Sequence, residues 1–314
     1  MTLPAGSRRI LLPALLGATL FGLGCFASQY RTNPRVATVK GDPIVQMARL
    51  GHFPSATAPP MVGIQGHSDP PKGKERLVGL VGQGETRAYP IGLLDRFEIV
   101  NDGMADLPYA VVRCALTHVA AVYDRRAGER TLSFENSGAL WRDTLVMRDQ
   151  ETGTLWSAAT GAALFGPLAG RRLARVAAVY ATARAWREAY PASLYMDMGR
   201  PTSVPFLMRL YAASPWQGIS KIPTRDRRHP PKEKLLAVGA EGEALAFTEE
   251  QLRAAGSIRA ELDGEAISIE WDPLLQTGRA FSLPKTGSRR EHAVIPMYWF
   301  ALDRHFSRVR SWTP

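Results

Sequence analysis

The sequence predicts an α+β fold that is predominantly β, built as two related β-rich lobes, each closed by a short helix. Three observations predict it. Apolar, β-branched runs of strand length recur between Gly turns from Arg76 to Gly170. Lys234 to Phe247 then echoes Arg76 to Tyr89, with Gly84, Glu85, Ala88 and Tyr89 falling on Gly242, Glu243, Ala246 and Phe247. Finally, Tyr298 to Phe306 parallels Thr182 to Tyr190, an aromatic helix at the end of each half. Two matches in the same order predict an internal duplication whose second copy is the shorter.

Taken in order, residues 1–27 read as an export signal. Arg8 and Arg9 precede an apolar run from Ile10 to Phe26, of signal-peptide size and short for a spanning helix. The run ends in Leu20-Phe21-Gly22-Leu23-Gly24-Cys25, which resembles a lipobox with Gly22 where Leu is preferred. Cys25 is therefore a candidate lipidation site, against ordinary cleavage or an uncleaved anchor. The expected location is the periplasm or the membrane-anchored cell envelope.

Residues 28–75, rich in Pro, Gly and Ser, read as a tether and irregular lead-in. Residues 76–200 form the first lobe. It opens with a hairpin, Arg76–Val81 and Thr86–Tyr89, around the turn Gly82 to Glu85. Ile91 to Leu94 makes a helical turn, and strands Tyr109 to Cys114 and Val119 to Tyr123 flank a bend at Ala115 to His118. A helix over Arg184 to Tyr190 is stopped by Pro191. Residues 201–233, with Arg225, Arg227, Arg228 and two prolines, read as a linker, and 234–314 as the second, shorter lobe.

The net charge is +10, but the basic residues are scattered and no nucleic-acid motif accompanies them, so no nucleic-acid partner is expected. Membrane attachment through the N-terminus or a lipid anchor remains open. With only two cysteines, and Cys25 in the signal, Cys114 stands alone in the folded body. That excludes a disulfide framework and two-cysteine redox chemistry.

Motifs between Tyr89 and Pro191 give the chain a resemblance to the bacterial and archaeal DUF3179 family, over roughly Met61 to Trp312. They are Tyr89-Pro90, then Phe97-Glu98-Ile99-Val100-Asn101-Asp102, Cys114 to His118, Leu145 to Ser157, and Gly166-Pro167-Leu168-Ala169-Gly170. The resemblance implies a His at position 97, a second Cys at 117, a Gly at 118 and a Gln at 158. This chain has Phe97, Thr117, His118 and Ala158 there. In a typical member the His and two Cys would suit a soft metal or a redox thiol pair. Here two of those three are missing, which implies a lost or altered site.

Among the remaining candidates, Cys114 and His118 would share copper or zinc, or act as a thiol nucleophile with its base. They are equally readable as a buried apolar thiol and a turn histidine. Glu98 would serve as an acid/base group or orient His118, while Asn101 and Asp102 read as ligand contacts or as turn caps. Trp141, Arg142 and Asp143 would hold a small anion through Arg142, or form a structural ion pair. Trp156 and Ser157 complete the ligand-binding set, although no nucleophile elbow surrounds Ser157. The expectation is an exported envelope protein that binds a metal or small ligand on its first lobe, as a degenerate, non-catalytic member. The alternatives are an enzyme using Cys114 with His118, or a purely structural module.

Overall fold

A computed structural model describes residues 33–313 apart from Gln83, Lys221, Ala240, Glu241 and Lys285. The signal segment and Cys25 lie outside the described residues. The protein is mostly β, with 44% strand against 14% helix, and five small sheets stand in a propeller-like ring.

Two of these sheets have the same construction. In the first, hairpin Arg76–Val81 and Thr86–Pro90 is flanked by antiparallel Val179–Thr182 and by parallel Leu194–Met196. In the other, hairpin Lys234–Gly239 and Glu243–Phe247 is flanked by antiparallel Ile295–Tyr298 and parallel Arg308–Ser311. A helix joins the flanking strands in each, Ala183–Ala189 in one and Trp299–His305 in the other. The register also agrees: Val78 faces Tyr89 as Leu236 faces Phe247.

The agreement continues with one constant offset of 158. After each hairpin comes a helix (Ile91–Phe97, then Glu249–Ala255) and a meander whose strands start at 99, 107 and 119, then at 257, 265 and 277. Even the left-handed turn residues correspond. Ala105 matches Asp263, both at φ 48°, and His118 (φ 61°) matches Gln276 (φ 52°). In the first half, a longer stretch between Asp124 and Val179 supplies most of the six-stranded sheet, including Phe134–Trp141 and Thr144–Asp149.

Packing differs between the halves in a complementary way. Trp186, fully buried, lies so close to Gly79 that a Cβ there would overlap its ring. At the matching positions stand Ala237 and Leu302, both fully buried, so the second half carries a methyl where the first has none and a smaller side chain in place of the indole.

Two segments differ from expectation. The lead-in is not irregular: Asp42–Gln46 joins the six-stranded sheet beside Ala139 to Trp141, Ala56–Thr57 pairs with Val100–Asn101, and Met61–Gly63 pairs with Leu194–Met196. Ala56–Thr57 and Met61–Gly63 are short edge strands, which take their order from tertiary partners and leave little periodicity to read. The expected linker carries helix Phe206–Ala213, which follows Pro205 and buries Tyr211; the Tyr211 hydroxyl donates to the Leu116 carbonyl at 2.6 Å.

Candidate functional site

The sequence-predicted residues do not form one groove. Cys114 ends its strand with its thiol buried at 2% exposure, where the sulfur accepts from the Leu145 amide at 3.4 Å. Burial, with the Glu98 charge adding to it, pushes this thiol above the usual cysteine range. An uncharged, enclosed thiol is neither a nucleophile nor a ready metal ligand. Among the described residues, no group of three or more His, Cys, Asp or Glu side chains is placed to hold a metal ion.

Most of the other candidates are committed to structure. Asn101 donates to the Phe134 carbonyl at 2.7 Å and accepts from the Phe134 amide at 2.8 Å, mimicking a strand partner. Asp102 accepts from Arg87 at 2.8 Å and from the Tyr89 hydroxyl at 2.6 Å. Trp156 donates to Asp149 at 2.8 Å, and the buried Ser157 hydroxyl accepts from the Thr160 amide at 3.3 Å. Asp143, fully buried, accepts from the Ile219 and Ser220 amides at 2.7 Å each and pairs with Arg304. It ties the segment before the second lobe to the six-stranded sheet. Glu98 accepts from the Asn136 amide group, and burial followed by repulsion from Asp95 raises its pKa to about 7.

His118 is placed differently. It occupies the left-handed turn between two buried strands, a conformation that costs a non-glycine residue about 1 kcal/mol. Its ring stacks on Tyr298 at 4.9 Å and meets Tyr180 edge-on at 6.0 Å, with the Tyr180 hydroxyl 3.4 Å from Nε2. Burial and the positive charges of Arg113, Lys234 and Arg76 depress its pKa, so the ring is neutral at physiological pH.

The ring lies in the wall of a pocket of about 340 Å³ at the seam between the halves. Arg76 and Tyr180 come from the first sheet, Lys234 and Tyr298 from its counterpart, and helix Phe206–Ala213 contributes Met208, Arg209 and Ala212. At its base Arg113 pairs with Asp95 at 2.8 Å, both side chains almost wholly buried, and the second Asp95 oxygen has no hydrogen-bond partner among the described residues. The lining holds five cations, Lys74, Arg76, Arg113, Arg209 and Lys234, against Glu75 and Asp95. Apolar wall is supplied by Ile91, Val204 and Met208.

A second, larger cavity of about 650 Å³ contains Trp141 and Arg142 from the first half's extra sheet, facing Arg304 and His305 of the last helix. Arg142 pairs with Asp42 at 2.7 Å and lies over the Trp141 ring at 4.5 Å. Sequence reasoning found His118, Trp141 and Arg142 but missed Asp95, Arg113, Tyr180, Lys234 and Tyr298, which lie on elements distant in the chain. One signal was present: Arg113 interrupts the apolar strand between Val112 and Cys114, where a charge must find a buried partner.

Residues 51–308 match the family described as "Protein of unknown function (DUF3179)". No curated protein and no solved structure matches the chain.

Proposed function

The chain belongs to the DUF3179 family, and from that premise we propose that it is a non-catalytic binding protein taking a small, partly apolar organic acid in the seam pocket around His118. The observation that carries this reading is the pocket's composition: an aromatic and aliphatic wall beneath an excess of cations, with a neutral imidazole held in its lining by two tyrosines. Sites of this kind favour domain interfaces, and a ligand carboxylate there meets Lys234 and Arg113 while its apolar part meets Met208 and Ile91. Cys114 has no part in it.

The two halves are read as a duplicated unit, with lobes at 76–200 and 234–314. The shared strand order, the constant offset of 158 and the matched left-handed turns support this. Export and attachment to the cell envelope, with Cys25 as the lipidation site, are likewise proposed; the Arg8-Arg9 pair and the apolar run to Phe26 support them.

The test is the thermal stability of the full-length chain against a series of monocarboxylates from acetate to phenylacetate, with native-state alkylation of Cys114 beside it. Phenylacetate should raise the melting temperature more than acetate, and His118→Gly and Lys234→Glu should abolish the shift. Cys114 should resist iodoacetamide until the protein unfolds. Equal shifts in wild type and both variants would remove the seam pocket from consideration, and rapid alkylation of the folded protein would favour an enzyme using Cys114.

A further inference from the structure

The larger cavity has a different chemistry from the seam pocket and is unused by the reading above. Its wall is dominated by guanidinium groups. Three are held by carboxylates: Arg142 by Asp42, Arg304 by Asp143, and Arg228 by Asp226. Lys40, Arg171 and Arg225 line the same cavity, and no carboxylate pairs with any of their side chains among the described residues. Against them stands Asp303, whose carboxylate accepts from the Arg225 amide at 2.9 Å.

The floor adds donors without acceptors. Trp141 Nε1 and Arg304 Nε, both obligatory N–H donors, are buried with no hydrogen-bond partner among the described residues. His305 is no donor to the cavity: Thr144 gives its own proton to Thr117, so the ring donates through Nε2 to Thr144 at 2.6 Å and keeps Nδ1 as a buried acceptor. Burial first, then Arg142 and Arg304, lowers its pKa to about 3, so it is neutral and adds no charge of its own. A concave surface with uncompensated cations focuses positive potential inward. More of its exposed wall is polar than in the seam pocket.

We propose that this cavity binds a ligand bearing several phosphate groups, gripped at its mouth by Lys40, Arg171 and Arg225. The planar fork of guanidinium matches phosphate oxygens in pairs, and about 650 Å³ accommodates a chain of phosphates rather than a single one. The ligand's charge replaces the carboxylates that these three side chains lack.

Calorimetric titration of the full-length chain with inorganic triphosphate tests the assignment, with citrate as a non-phosphate trianion. Triphosphate should bind saturably with submillimolar affinity, at least tenfold tighter than citrate, and weaken as NaCl rises from 50 to 200 mM. Lys40→Glu, Arg171→Glu and Arg225→Glu change exposed side chains and should each weaken binding about tenfold, while Arg209→Glu at the seam pocket should leave it unchanged. Because those two sites share no lining residue named here, loss of carboxylate binding at one leaves the other measurable. Citrate binding as tight as triphosphate would overturn the phosphate assignment. Affinity weaker than 1 mM, or unaffected by the three reversals, would overturn the site.

Discussion

From Arg76 to Asp124, and again from Lys234 to Ser282, the chain builds one frame of hairpin, helix and meander, yet the two halves fill it with different chemistry. Glu98 stands where the second half has Gly256, and both residues adopt a positive φ. Arg113 is answered by Trp271, Cys114 by Asp272 and His118 by Gln276. The backbone turns survive these exchanges, so the frame is specified by turn geometry and strand register rather than by its polar side chains. The buried charges of the first half are then additions to a frame that the second half forms without them.

The comparison breaks most visibly at Arg113. Arg113→Met leaves the Asp95 carboxylate buried and unpaired, with an expected loss of about 3–5 kcal/mol in urea denaturation. The double variant Asp95→Leu/Arg113→Met, which removes both charges, should recover most of it. A fully stable single variant would show that the pair is solvated. Gly79→Ala should cost about 3 kcal/mol by forcing a methyl into the Trp186 ring, whereas the second half has Ala237 and Leu302 at the matching positions. A double-mutant cycle with Trp186→Leu should give a coupling of about 1–3 kcal/mol, and strict additivity would separate the two residues.

Glu98 has a smaller, pH-dependent effect. Its folded pKa of about 7 lies above the ordinary glutamate value of 4.5, so the folded state holds the proton more tightly. The stability it contributes is present below pH 4.5 and is lost as pH rises through 7, on the order of 3 kcal/mol. Glu98→Gln should therefore leave stability unchanged at pH 4 and raise it at pH 8; parallel pH profiles for the two proteins would contradict the shift. The smallest effect belongs to His118→Gly. Relief at φ 61° offsets the lost stacking on Tyr298, and stability should move by less than about 1 kcal/mol while phenylacetate binding disappears. A large destabilisation would make the imidazole a structural group instead.

Much of the frame was legible because Arg76–Val81, Leu107–Cys114 and Val119–Asp124 are long enough for β-branched runs to declare themselves. The likeness of the two hairpins and terminal helices was legible in the sequence, whereas the meanders between them share little side-chain identity and match only in backbone. The two- and three-residue strands before Arg76 carry no such signal, since their partners lie up to 135 residues away, as in Met61 with Met196. The site was legible only in part. Motif reading pointed to Cys114 and His118 as neighbours in sequence, but a left-handed turn sends the thiol into the core and the imidazole into the seam. Tyr298 and Lys234 reach that seam only through the packing of one half on the other.

Each unit's last strand adds parallel to the second strand of its own hairpin, and the two closures differ in chain separation. The first joins Arg87 to Leu194, 107 residues on (87 to 194), and the second joins Glu243 to Arg308, 65 residues on (243 to 308). The entropy of closing a loop grows with its length, and non-local pairing slows folding. The carboxy-terminal closure therefore costs less chain entropy, by about 0.4 kcal/mol, a small bias toward completing the sheet that is synthesised last.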